Sequence, residues 1–144
     1  MVTLQLPFAM TVAGSASSGK TFFVKELIRH RLQLFSQPVS KIYYHYSVWQ
    51  PMFDEMEKQD GVIFGEGVPN IDELEHNSLL VLDDLLTQLA GNKDMEELFC
   101  VKSHHNNVSV ILSPSHSFTT PKSCGVSRAT RITLSFSNLH AWLQ

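Results

Sequence analysis

The sequence is poor in cysteine, lacks an excess of positive charge and contains no long apolar run. Its 144 residues hold only two cysteines, Cys100 and Cys124. They lie too far apart for metal-ligand spacing, so a disulfide scaffold and a zinc ribbon are both excluded and reduced structural thiols are expected. The net charge of −3 excludes a global basic footprint for nucleic acid. Any DNA contact has to come from a local patch or from oligomerisation. No apolar stretch approaches the length of a membrane span. The first residues carry no basic region followed by an apolar core and a cleavage site, so an intracellular protein without a membrane segment is expected. Histidines give no metal site either. His45, His76 and His116 are scattered, and the adjacent His104 and His105 would point roughly 100° apart on a helix. There is no internal repeat and no low-complexity tract. The remainder is ordinary, with 43% hydrophobic and 17% charged residues. One domain over residues 1–144, with a proper core, fits this length.

One stretch organises the chain. Gly14-Ser15-Ala16-Ser17-Ser18-Gly19-Lys20-Thr21 reads G-x-x-x-x-G-K-T, the P-loop pattern. Before it lies Leu6 to Ala13, an apolar run suited to a buried parallel strand beginning at Pro7. After it, Val24, Leu27, Ile28, Leu32 and Phe35 recur at helical spacing, and this helix should fade near Ser36-Gln37-Pro38. Strand, glycine loop and amphipathic helix are the context in which the pattern cradles a phosphate. Loop N–H groups and the helix N-terminus converge on the anion. Gly14 and Gly19 permit close backbone approach. Lys20 reaches the β- and γ-phosphates of ATP, and the Thr21 hydroxyl ligates Mg²⁺.

The rest of the chain alternates strand and helix signals. Lys41–Val48 is rich in aromatic and β-branched residues and reads as a second strand. Met52–Lys58 reads as a short helix closed by Asp60-Gly61, Val62-Ile63-Phe64 as an apolar piece of undecided type, and Gly65–Pro69 as a loop. Asn70 with Glu73 resembles a capping box. Ser78–Leu82 is a continuous apolar run, the mark of a central parallel strand covered on both faces. A helix over Asp94–Asn107, a fourth strand over Val108–Ser113, a polar loop from Ser115 to Gly125 and a fifth strand over Arg131–Phe136 complete the pattern. The expected fold is α/β: a P-loop NTPase domain with a five-stranded, mainly parallel sheet between helices.

The third strand runs into Asp83-Asp84-Leu85, two carboxylates at the edge where open α/β sheets bind ligands. A P-loop nucleotidase needs an acid near Mg²⁺ and a group that orients the attacking water. Asp83 fits the first role, through a water of the metal's shell, and Asp84 the second, although the two could be exchanged. The plainer alternative is a helix N-cap at Asp84 with Asp83 as a polar strand end. Ser113 and Ser115 close the fourth strand, where a polar group can sense the γ-phosphate if that strand lies between those of the P-loop and Asp83; a simple serine-rich turn is equally open. Arg128 and Arg131 are the only arginines after Arg31. Either could reach a neighbouring subunit's nucleotide as an arginine finger, though a solvated arginine is the plainer reading. Tyr43, Tyr44, Tyr46 and Trp49 could stack on a base, but packing is the commoner use of such a run.

These residues together resemble the genome-packaging ATPases of the FtsK–HerA superfamily, of the type found in large DNA viruses and virus-like self-synthesising transposons. The likeness is carried by the GSASSGKT loop with Phe22-Phe23-Val24, Ile42-Tyr43-Tyr44 with Trp49-Gln50, and Gly65-Glu66-Gly67-Val68-Pro69. It continues through Leu79–Leu85, Ser103-His104-His105-Asn106-Asn107-Val108-Ser109-Val110-Ile111 and Arg131-Ile132-Thr133-Leu134. The resemblance implies ATP hydrolysis by a ring of subunits that threads duplex DNA into a capsid. It implies Lys20 and Thr21 at the phosphates and Mg²⁺, Asp83 on the metal, Asp84 as the water-activating acid, a sensor such as Ser115 at the end of the fourth strand, and Arg128 or Arg131 acting across subunits. Capsid or packaging proteins would be partners, and the host cytoplasm or nucleus the compartment. Two departures stand out. Ser15-Ala16-Ser17 replaces the Pro-Thr-Gly common in such loops, and Ser115-His116 replaces a Gln-Asn pair. The chain also stops shortly after the fifth strand, where relatives continue, so a truncated copy is one expectation. A degenerate nucleotide-binding subunit with little turnover is the first alternative. A small P-loop kinase is the second, weakened by the lack of an arginine-rich lid.

Overall fold

The computed structural model describes residues 3–14, 19–85, 106–114 and 130–135, with Gln59 and residues 130–135 described by their backbone alone. The apolar runs become strands of one six-stranded sheet. They are β1 (Phe8–Ala13), β2 (Ile42–Tyr46), β3 (Ile63–Glu66), β4 (Leu79–Asp83), β5 (Ser109–Ser113) and β6 (Thr130–Ser135). The order across the sheet is β3-β2-β4-β5-β1-β6, and every neighbouring pair is parallel. The α/β reading therefore stands, with a correction to the count: six strands, not five. The extra strand is β3. It takes in Gly65 and Glu66, expected as loop, because Tyr43–Tyr46 offers it a parallel partner at the sheet edge. A four-residue edge strand with exposed ends carries too short an apolar run to declare itself locally.

Both faces are buried. On one, Phe8, Met10 and Val12 of β1, Tyr44 of β2, Leu79 and Val81 of β4 and Ile111 of β5 pack against two helices, α1 (Lys20–Arg29) and α3 (Met52–Asp60). Val24, Leu27 and Ile28 are the inward residues of α1, and Phe53 and Met56 those of α3. On the other face, Leu80, Leu82, Val110 and Leu112 gather with Ile71, Leu74, Leu85 and Val108. This two-sided burial is why Leu79–Asp83 has no polar alternation.

The first helix ends earlier than its periodicity suggests. His30 departs from helical geometry (φ −99°, ψ 18°), and a separate turn, α2 (Arg31–Leu34), follows. The break rotates Leu32 out to 82% exposure, whereas Phe35 still reaches the core. α3 stops at Gly61, which has φ 66°, a left-handed conformation that glycine adopts without penalty. Around Asn70 a 3₁₀ turn (Ile71–Glu73) forms, with the Asn70 side chain accepting from the Asp72 N–H at 3.1 Å. The helix expected over 94–107 lies outside the described residues up to 105, and Asn106 and Asn107 stand in a turn. Asn107 donates to the Asn77 side chain at 3.2 Å, and the Asn77 N–H to the Asn106 carbonyl at 2.9 Å. This joins the segments that lead into β4 and β5. Among the described residues, no helix is long and apolar enough to cross a membrane.

Candidate functional site

Strand order creates the site. β1 leads through α1 to β2 on one side of it, and β5 leads to β6 on the other. Connections that leave in opposite directions open a crevice at the carboxyl ends of the strands. Gly14 follows β1 at this edge, and Gly19 delivers the chain into α1 with φ 87°. The first turn of α1 has no acidic residue and its N-cap makes no side-chain hydrogen bond. The positive end of the helix dipole is therefore not offset by a carboxylate of the helix itself, and the nearest one, Asp83, comes from β4; such an end suits an anion. Ser15, Ala16, Ser17 and Ser18, the middle of the expected phosphate cradle, lie outside the described residues.

Lys20 and Asp83 are both buried, at 7% exposure each. The Lys20 ammonium donates to the carbonyl of Pro114, immediately after β5. Burial lowers its pKa, opposed by the charges of Asp83 and then Asp84. Burial likewise raises the Asp83 pKa, opposed first by a hydrogen bond from Tyr44 and then by the charge of Lys20. Asp84 adds to the rise, and a hydrogen bond from Thr21 works against it. Lys20, Thr21 and Asp83, separated by 62 to 63 positions in the chain, thus form one interacting group between the start of α1 and the end of β4. Asp84 is exposed and sits at φ 56°, with its N–H donating to the Ser113 carbonyl at 2.9 Å. A left-handed non-glycine residue next to a buried carboxylate marks a backbone held in place by its surroundings.

β5 lies between β1 and β4, the arrangement on which the sensor reading depended. Its last residue, Ser113, pairs in register with Asp83 and therefore shares its face of the sheet. Ser113 is 1% exposed, and its hydroxyl has no hydrogen-bond partner among the described residues. By contrast Ser109, on the same face four residues earlier, accepts from the Phe8 N–H at 3.2 Å. A buried hydroxyl left unpartnered costs about 1–3 kcal/mol, so the Ser113 site is one where a ligand or water would be welcome.

No protein-family model and no curated protein matches this chain. The remaining sequence-predicted residues divide by position. Ser115 and Arg128 lie outside the described residues. Arg131 stands near the start of β6, in register with Ala9; it is at the opposite end of the sheet from the crevice, away from its own chain's Lys20. Tyr43, Tyr46 and Trp49 make packing contacts. Tyr46, Trp49, Phe53 and Phe64 form a cluster with ring centroids 4.9–6.4 Å apart, and Tyr43 packs on the opposite face. Among the described residues no group of three or more His, Cys, Asp or Glu could hold a metal. A P-loop magnesium does not need one, because phosphate oxygens and waters complete its shell.

Sequence reasoning missed Tyr44. It is fully buried, and its hydroxyl donates to Asp83 Oδ2 at 2.6 Å. Burial and the neighbouring Asp83 charge push its own ionisation far upward, so it acts as a donor. The signal was a phenol on the apolar face of a strand, which needs a polar partner somewhere. Which partner it finds depends on β2 lying beside β4, and strand order is not local information.

Proposed function

We propose that the chain is an ATP-binding and ATP-hydrolysing P-loop domain, a motor of the genome-packaging type that translocates duplex DNA. The observation that carries the reading is the meeting of Lys20 and Thr21, at the start of α1, with Asp83, at the end of β4, across a strand whose last hydroxyl has no partner among the described residues. The donor set fits a magnesium–triphosphate. Thr21 supplies a hydroxyl and Asp83 a carboxylate, both hard oxygen donors of the kind Mg²⁺ takes alongside phosphate oxygens and water. Bound magnesium would neutralise charge building on the phosphates.

In this reading the chain's own groups divide the work. Lys20 exchanges the Pro114 carbonyl for phosphate oxygens, a stronger, charge-assisted contact. The N-terminus of α1 holds the same anion. Asp83 keeps its carboxylate toward Thr21. Asp84, outside the buried group but close enough to act on both Lys20 and Asp83, accepts the proton of the attacking water. Ser113 offers its hydroxyl to the terminal phosphate or to that water. Duplex DNA, a ring of copies and capsid partners are inferred from the sequence resemblance, with an arginine supplied across the subunit boundary.

ATP turnover measured with and without duplex DNA, beside Asp84→Asn, tests the whole reading. Turnover that DNA accelerates and Asp84→Asn abolishes is expected. Turnover indifferent to DNA, with phosphate passed to a small acceptor, would point to a kinase. Bound nucleotide with no turnover would leave a binding subunit.

A further inference from the structure

Beside this group lies a buried phenol, Tyr44, whose hydroxyl donates to Asp83. We infer that Tyr44 is a positioning residue for the metal-holding carboxylate, fixing Asp83 before any ligand arrives; the inference rests on the nucleotide reading above.

Asp83 is held from two sides. Thr21 approaches from α1, which follows β1, and Tyr44 from β2 on the far side of β4. The phenol takes Oδ2 at 2.6 Å, so rotation of the carboxylate about its Cβ–Cγ bond is stopped. Tyr44 itself cannot swing. Its ring is fully buried, with the Phe53 ring at 4.9 Å and the Phe64 ring at 5.2 Å. Its place on the core face follows from the alternation of β2, in which Ile42 and Tyr44 are buried and Tyr43 faces the other way. A tyrosine in this position serves packing no better than phenylalanine would, since its hydroxyl must then be satisfied. The group it satisfies is the carboxylate on which the metal depends. Hydrogen bonds that orient a metal-binding carboxylate are typically worth about 10–100-fold in metal affinity.

The test is Mn²⁺ binding, followed by electron paramagnetic resonance in the presence of ATPγS. Wild type, Tyr44→Phe and the packing control Tyr46→Phe are compared. Fluorescent mant-ATP binding in EDTA serves as a metal-free reference. Tyr44→Phe should weaken Mn²⁺ about tenfold or more, leave metal-free nucleotide affinity within about twofold of wild type, and differ in this from Tyr46→Phe. Equal or tighter Mn²⁺ binding in Tyr44→Phe overturns the inference, as does a parallel loss of metal-free nucleotide binding. If wild type binds nucleotide and Mn²⁺ but Tyr44→Phe matches it, the positioning role alone fails. If wild type binds neither, the nucleotide reading fails and takes this role with it. Should Tyr44→Phe not fold, 3-fluorotyrosine incorporated into the Tyr43→Phe/Tyr46→Phe variant leaves a single fluorine resonance at Tyr44. That resonance should shift when Mg²⁺ joins the nucleotide complex, and its constancy would count against the inference.

Discussion

Ser113 stands directly opposite Asp83 in the parallel register of β5 and β4, and among the described residues its buried hydroxyl has no partner while the carboxylate beside it has several. Hydroxyls kept for packing are normally satisfied. Ser113→Ala is therefore expected to leave the ligand-free protein as stable as wild type, or more stable by about 1 kcal/mol, while ATP turnover falls. Thermal melts paired with turnover rates check this. A melting temperature that drops sharply, with turnover per folded molecule unchanged, would mean the hydroxyl is structural.

Asp84 offers a clean separation of charge from backbone. Its φ of 56° is one that asparagine adopts about as readily as aspartate. Asp84→Asn should preserve the strand end, retain nucleotide binding and lower turnover by about 10²–10⁴-fold, the range for a positioned general base. Equilibrium nucleotide binding beside single-turnover hydrolysis reads both. An unchanged rate removes Asp84 from its assigned role.

The close approach of β3 to β2 makes a different prediction. Gly65 pairs with His45, and a Cβ added at Gly65 would lie 2.6 Å from His45 Cε1. The imidazole cannot simply turn aside, because its Nδ1 is 2.9 Å from the Gly67 carbonyl. Gly65→Ala should destabilise by about 1–3 kcal/mol through overpacking. Adding His45→Ala should recover part of that loss, a coupling that denaturant titration of the double-mutant cycle measures. Simple additivity would contradict the clash.

The same imidazole sets a pH dependence. Burial lowers the His45 pKa from 6.5, with the Gly67 carbonyl opposing the shift. The unfolded chain therefore takes up this proton before the folded one does. The contribution of neutral His45 to stability is fully present above about pH 6.5 and is lost as pH falls from there through the lower folded value. Asparagine can keep a donor toward Gly67 without titrating, so melting temperatures of His45→Asn should fall less steeply than those of wild type between pH 7 and 5. Identical slopes would show that His45 does not carry the effect.

Much of this architecture was legible because its signals are local. The apolar run ending in Asp83, the glycines around Lys20 and the Gly61 stop each carry their meaning within a few residues. β3 was not legible: a strand of four residues exists because β2 lies beside it. The helix after the loop was overextended because Leu32 keeps the 3.6-residue period, yet the break at His30 turns it outward. Tyr44 was hidden for a related reason. Its partner is 39 residues away, and only the order β2-β4-β5-β1 brings phenol, carboxylate and α1 together.

ATP turnover with Mg²⁺ by wild type, set against Lys20→Ala, bears most directly on the central claim that the group at the end of β4 and the start of α1 holds a magnesium–triphosphate. The expected result is measurable hydrolysis in wild type, with both hydrolysis and nucleotide affinity lost in Lys20→Ala. Equal turnover in the two proteins would contradict it.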